Sequence, residues 1–388
     1  MKASLILLLC ACFFLPASSQ QYNTAISIPD SVPANTASIA QWINANCHSE
    51  EEKLSVAYQW VCKYINYDIR HAYSLKHQIQ GDTLTLVNQI LKTRKAVCIG
   101  YACTFSEICK QLAIPVKVVT GYGFDAKQHL LDAPHAWVTV HTGGKWLFVD
   151  PTWGAGFAEV KKRKFLWKTF KRDVFVLKFN WHYFLMPGDE FIADHVPYDP
   201  LYQFTEYPVR HDTISKKSRR VDSSLQAFKY IDTLQYCRNL NYAQRSMNEI
   251  ARIRAYGVSN RFVSQYISIQ RQNIPYWKLV DDKASGHFDL YQEAGISLQQ
   301  LDNDYRMLES QVYDNSQDDD KIISQLGKLS PEVDKLLQKM ESLTLTTTSL
   351  KFQLAGDIRR VRFLQQRLAA QQAFVQKRIL KKMERKNG

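Results

Sequence analysis

The sequence predicts an α+β fold over its first half, followed by a mainly α-helical second half. Three observations carry this. Residues 98–112 place apolar side chains at helical spacing, with Ala102, Phe105, Ile108, Cys109 and Leu112 on one face. Strand-like runs follow at Pro115–Thr120, His135–Val140 and Lys145–Asp150, the last two joined by the hairpin turn His141-Thr142-Gly143-Gly144. Beyond Pro331, Val333, Met340, Thr347, Leu354, Val361, Leu368 and Val375 recur at heptad spacing, with Leu336, Leu343, Leu350 and Leu364 supplying the offset seam.

The chain of 388 residues has room for two or three domains. It opens with Met1-Lys2, a largely apolar stretch from Ala3 to Leu15 and the small-residue segment Pro16-Ala17-Ser18-Ser19-Gln20. This predicts a signal peptide over 1–19, and with it export to a periplasmic or extracellular compartment. The apolar run is shorter than the ~20 residues of a spanning helix. Leu9-Cys10-Ala11-Cys12 only faintly resembles a lipoprotein signal, because more apolar residues follow Cys12, so lipid anchoring is the lesser expectation.

After an extended lead-in, Ala37–Ala45 reads as a helix. Ser49 and Glu52 fit a capping box opening the next, whose inner face holds Val56, Tyr58 or Trp60, Val61, Tyr64 and Ile65. A third helix is expected from Asp82 to Thr93, and the cysteine helix begins at about Cys98. A thiol at a helix N-terminus feels the positive end of the macrodipole, which favours thiolate.

The hairpin supplies the partners that such a thiol needs. If His141 faces Gly144, His135 faces Asp150, and cross-strand partners hold their Cβ atoms about 4.5–5.5 Å apart. Cys98, His135 and Asp150 are therefore candidates for nucleophile, general base and orienting acid. Taken singly each has a plainer explanation: a small buried cysteine, a structural histidine, an aspartate starting a turn before proline. A helix-start cysteine and a hairpin that joins His to Asp are separate requirements, and the sequence meets both.

These residues carry a resemblance. Val97-Cys98 with Gly100-Tyr101-Ala102, Gly121, His135-Ala136-Trp137 and Asp150-Pro151-Thr152-Trp153 resemble the core of the transglutaminase-like superfamily, in particular its bacterial, kyphoscoliosis-peptidase-like branch. Trp60 to Asp68 resembles the helix that precedes the cysteine. Tyr183 to Pro187, Phe191-Ile192, His195 and Pro197 resemble a closing segment, so the likeness covers about residues 50 to 205. It implies a papain/transglutaminase-like core in which the Cys-bearing helix packs on an antiparallel sheet. It also implies a Cys98–His135–Asp150 triad acting through an acyl-thioester on protein or peptide amides. Ala96, where glycine is common, and Val138, where asparagine often follows, depart from the pattern. The Cys98 backbone N–H is a reasonable oxyanion donor, and Trp60, Tyr67 and Trp137 are candidate oxyanion or substrate-binding residues.

Eight cysteines include two in the signal segment, leaving Cys47, Cys62, Cys98, Cys103, Cys109 and Cys237. Their spacing fits neither a zinc site nor a dense disulfide scaffold. One or two bridges are open to an exported chain, with Cys103 and Cys109 expected as buried free thiols. No EF-hand loop is present, so calcium is not invoked; no other cofactor or metal is expected.

Lys161 to Arg172 holds seven basic residues in twelve, interleaved with Phe165, Trp167 and Phe170, in a chain of net charge +13. A solvated loop beside the site is the expected form; an anionic envelope surface is the functional alternative, and nucleic acid is not expected as a partner of an exported protein. A polar, basic stretch at Pro208–Arg220 marks a boundary. The expected division is a catalytic domain over 20–207, a helical or irregular region over 208–296 and a helical hairpin or coiled coil over 297–388.

In that second half Ser223–Leu234, Asn241–Tyr256 (ending at Gly257) and Ser297–Tyr313 read as helices, while 258–296 has no clear period. Ser330-Pro331 reads as a cap and first-turn proline opening one long helix, paired with a 297–326 helix or with a second copy of the chain. The whole reads as an exported cysteine-dependent protease, amidase or cross-linking acyltransferase with a protein or peptide substrate. The alternative is a catalytically inert scaffold module of the cell envelope. An acyltransferase using a small-molecule donor, as arylamine acetyltransferases do, fits the Asp-Pro-Thr-Trp pattern less well.

Overall fold

Helix α1 (Thr36–Asn46) starts where Asn35 accepts the Ser38 N–H at 2.8 Å, and α2 (Glu50–Tyr64) where Ser49 accepts that of Glu52 at 3.1 Å. Only half of the expected capping box forms, because the Glu52 carboxylate takes the His48 N–H instead. The computed structural model describes residues 26–71, 83–165, 168–214, 224, 226–258, 260–314 and 318–387. The expected signal peptide and the 162–172 side chains of the basic–aromatic run lie outside the described residues. The chain forms two compact units, Met1–Tyr230 and Ile231–Gly388.

In the first unit, β1 (Asn66–Tyr67) pairs in parallel with β2 (Lys95–Ala96), α3 (Thr83–Thr93) lying between them in sequence. This returns the chain to Tyr67 just before α4 (Cys98–Gln111) begins. Gly100 permits the close return: a Cβ there would lie 2.6 Å from that of Ala96. Helix α4 is buried along most of its length and packs against α1, α2 and a four-stranded antiparallel sheet. The sheet order is β5 (Lys145–Val149), β4 (His135–Thr142), β3 (Val116–Gly123), β8 (His195–Pro197). Ile43, Val61, Phe105, Ile108, Val138 and Val140 close the core between helices and sheet. Each such side chain contributes about 1.5–3 kcal/mol on burial. This is the α+β arrangement expected, with the Cys-bearing helix packed on an antiparallel sheet.

The hairpin register differs from the one expected. Thr142 pairs with Lys145 and His141 with Trp146, because Gly143 and Gly144 both adopt positive φ, 56° and 76°, and close a two-residue turn. The displacement keeps every side chain on its expected face, but His135 and Asp150 are diagonal rather than directly opposed. Asp150 lies just beyond β5 and caps α5 (Pro151–Ala155).

The basic–aromatic run is not a loop. Its backbone forms the end of a hairpin of β6 (Gly156–Phe165) and β7 (Lys168–Leu177). Extended-chain formers on both arms, among them Val160, Val174, Phe175 and Val176, favour this outcome. A short α6 (Gly188–Phe191) precedes β8.

The second unit is helical. Helix α7 (Tyr230–Arg238) begins later than the Ser223 expected, and α8 (Tyr242–Ala255) opens with a complete Asn241/Gln244 capping box. The stretch without a clear period forms α9 (Arg261–Ala284) and the start of α10 (His287–Val312).

Two expectations for the C-terminal helices are corrected. Pro331 lies inside α11 (Asp319–Glu341), not at its start. Asp318 provides the stronger cap, through the N–H groups of Asp320 and Lys321, and Ile322, Leu326, Val333 and Met340 form one buried stripe across the proline. The heptads also do not run through one helix: α11 stops at Glu341 and α12 (Thr348–Asn387) restarts the pattern. The intervening Thr-rich segment is held by Asp282, whose carboxylate accepts the Thr346 and Thr347 N–H groups at 2.5 and 2.9 Å. Helix α12 packs on α11 and α10 of its own chain. No described helix is long and apolar enough to cross a membrane.

Candidate active site

Cys98 is the first residue of α4 and is partly exposed. Its N–H is one of the first-turn amides that lack an intrahelical acceptor. Parallel pairing of β1 with β2 brings Tyr67 alongside Ala96. Both Cys98 and Tyr67 line a groove of about 1070 Å³, together with His135, Trp153, Tyr183 and Asp194. Along the groove's length the chain from Asp125 to Pro134 also contributes, its turn held by Asp125 accepting the Lys127 and His129 N–H groups.

His135 is the first residue of β4 and 5% exposed; Asp150 is wholly buried. His135 Nε2 lies 2.7 Å from Asp150 Oδ2. The other carboxylate oxygen accepts the Thr152 and Trp153 N–H groups at 2.8 and 3.2 Å. Asp150 thus caps a helix with one oxygen and holds an imidazole with the other. Burial opposes protonation of His135, but the Asp150 charge and hydrogen bond outweigh it. With a smaller contribution from the Cys98 side chain, they raise its pKa to about 10. Burial also opposes charge on Asp150, yet His135 and then His195 hold its carboxyl well below the usual carboxylate range. Trp153 stacks on His135 with ring centroids 5.2 Å apart, and Asn180 fixes it by donating to the Trp153 carbonyl at 3.0 Å.

His195 is the residue that the sequence resemblance named without giving it a place in the site. Its Nε2 lies 3.1 Å from the same Asp150 Oδ2, and its Nδ1 2.5 Å from Asp194 Oδ1. The available signal was Gly121-Tyr122-Gly123 on the central strand. Gly121 pairs with His135 and Gly123 with His195, so both rings rise from one sheet face beside residues without side chains. His135, Asp150 and His195 are also the group of described residues whose ligand atoms approach closely enough to hold a metal ion. In this structure His135 Nε2 and His195 Nε2 both bond to Asp150 Oδ2.

The other candidates fall elsewhere. Trp60 stacks on Tyr64 at 4.3 Å and lines a separate pocket with Gln59 and Arg94. Trp137 is fully buried beneath His195, edge-on at 5.0 Å. All six described cysteines are free thiols. Cys62 donates to the Pro151 carbonyl at 3.2 Å, and burial and then the Asp150 charge push its pKa well up. Burial likewise pushes the Cys103 thiol up to about 12.

Residues 37–151 match the family model of the transglutaminase-like superfamily. The chain is similar to kyphoscoliosis peptidase from Mus musculus and from Homo sapiens, 32% identical over 166 residues in each case. That match covers 42% of this chain and 23% of the length of each relative. Among solved structures it is similar to a TGase (24% identity, TM-score 0.23), over 30% of this chain and 31% of that one. Another is a candidate cysteine protease from Cytophaga hutchinsonii (21% identity, TM-score 0.24), over 31% of this chain and 39% of that one. The part of this chain that matches the transglutaminase-like superfamily is residues 37–151, which hold Cys98, His135 and Asp150.

Proposed function

We propose that the protein is a cysteine-dependent acyl-transfer enzyme acting on protein or peptide amides in an exported compartment. Cys98 is the nucleophile, His135 the general base and acid, and Asp150 the group that orients His135. One observation carries this reading: a helix-start thiol and a histidine share one groove, and that histidine is bonded to a fully buried carboxylate.

The Cys98 thiol gives its proton to His135, and the thiolate attacks a carboxamide or peptide carbonyl. Asp150 holds the ring with Nε2–H toward itself, which leaves Nδ1 for the sulfur. As the tetrahedral intermediate collapses, His135 protonates the departing nitrogen, ammonia or an amine leaves, and an acyl-thioester remains. Water then gives hydrolysis or deamidation and restores the thiol; an amine acceptor gives a new amide bond. The Cys98 N–H is the favoured oxyanion donor, and Tyr67, in the same groove, is better placed than Trp60 or Trp137 for substrate contact.

The test is mass spectrometry of envelope and secreted proteins incubated with wild type and with Cys98→Ala. Isopeptide bonds, cleaved backbones or glutamine-to-glutamate conversions present only with wild type would each select one chemistry. The same modifications with both proteins would reject Cys98 as the nucleophile, and none with either would favour an inert scaffold.

A further inference from the structure

We infer that His195, held by Asp194, is a positioning residue of the site, so that His135 is aligned by a second His–Asp couple and not by Asp150 alone. The inference rests on the reading of Asp150 as the orienting acid. The groups run in sequence: His135 Nε2 to Asp150 Oδ2 at 2.7 Å, Asp150 Oδ2 to His195 Nε2 at 3.1 Å, His195 Nδ1 to Asp194 Oδ1 at 2.5 Å. Asp194 in turn accepts the Tyr183 hydroxyl at 3.2 Å.

The arrangement has a definite consequence. Asp150 accepts from four N–H donors, two on each oxygen: Thr152 and Trp153 on Oδ1, His135 and His195 on Oδ2. A carboxylate bound on both oxygens cannot rotate about its Cβ–Cγ bond without losing donors. The second imidazole N–H also draws charge from Oδ2, which keeps Asp150 from competing for the proton that His135 must carry.

His195 itself cannot turn away. It is fully buried, stacked on Phe191 at 4.1 Å, and faced by Trp153 at 4.3 Å, Trp137 at 5.0 Å and Tyr183 at 5.7 Å. A ring kept only for packing would not need both nitrogens opposite carboxylates. Asp194 and Tyr183 face the groove that holds Cys98, so the chain of groups begins and ends at the same opening.

The test uses the full chain labelled with nitrogen-15. In wild type, the Nε2–H protons of His135 and His195 should resonate far downfield of the amides, as strongly hydrogen-bonded imidazole protons do. His195→Leu should remove one signal and move that of His135, and slow iodoacetamide alkylation of Cys98 about tenfold, the scale of losing one hydrogen bond to a charged group. His195→Gln, whose amide can still donate to Asp150, should keep the His135 signal near its wild-type position and restore most of the rate. Should the Leu variant fail to fold, Asp194→Asn, which retains the ring, should move both signals by a smaller amount. A His135 signal indifferent to all three substitutions overturns the inference, as does equal damage from Leu and Gln, which would make His195 a packing residue. A wild-type Cys98 that alkylates no faster than Cys47 or Cys237 would reject the nucleophile, while the His135 signal would still decide the role of His195.

Discussion

His135 Nε2 sits 2.7 Å from Asp150 Oδ2 although the two residues are not paired across the hairpin. The bond forms because Asp150 has left the strand. As the cap of α5 it turns its carboxylate toward β4, with the Thr152 and Trp153 N–H groups fixing its other oxygen. Position in a helix cap, more than strand register, places the acid of this site.

That cap makes Asp150→Asn unusually damaging. Cysteine enzymes of the papain type work with asparagine at this role, where one amide oxygen faces the histidine. Here all four groups facing Asp150 are N–H donors. An amide must turn its NH₂ toward two of them, so the variant would either lose its hold on His135 or break the start of α5. Alkylation of Cys98 and any amide turnover should fall by about a hundredfold or more. Wild-type rates in this variant would refute the assigned role.

The same pair sets a pH dependence of stability. His135 has its pKa raised to about 10 despite burial, through Asp150. Its contribution is whole below the unfolded value of about 6.5, declines as the native chain alone retains the proton, and is lost as pH rises through about 10. Asp150, depressed by His135 and His195, contributes above the unfolded carboxylate range and loses that contribution as pH falls. Urea midpoints of wild type should therefore decline between pH 7 and pH 10, and the decline should flatten in Asp150→Asn. Equal slopes would show that the pair does not carry it.

Gly121 tests the close approach of β3 to its two neighbours, β4 and the edge strand β8. A Cβ there would lie 2.2 Å from the Val196 carbonyl and 2.6 Å from the Trp137 ring. Gly121→Ala must push β8 away from β3 or displace Trp137, at a cost of about 1–3 kcal/mol in unfolding free energy. Because β8 begins at His195, the substitution should also disturb the His135 imidazole signal. Gly143→Asn is the contrasting change. Its Cβ meets nothing within 4 Å and asparagine suits a positive φ in a tight hairpin, so stability should be nearly unchanged.

In the second unit Asp282 is the residue to remove. Its buried carboxylate accepts the Thr346 and Thr347 N–H groups at the entrance to α12. Asp282→Ala leaves both donors unanswered and should cost about 1–3 kcal/mol in chemical denaturation. Leu380→Ala, at a side chain 53% exposed, should change stability by no more than about 0.5 kcal/mol. Similar losses from the two would mean that α12 is not anchored at its start.

The sequence by itself determined the elements and faces around Cys98 and the hairpin that follows it. Helical spacing after Cys98, strand runs on either side of Gly143-Gly144 and the Asp-Pro cap are local signals, and local backbone preferences are what a single chain displays. It also singled out the candidates for chemistry, since thiol, imidazole and carboxylate have few substitutes in nucleophilic catalysis. Tertiary structure alone decided the pairing register, which turned on how tightly two glycines could close. It decided that α11 runs through Pro331 and that α12 restarts after a break, because buried stripes and an Asp282 cap outweighed a local proline signal. It alone brought His195 to Asp150: those residues are joined by no periodicity, only by two strands laid against the glycines of a third, and contact across such distances in the chain leaves no mark in spacing.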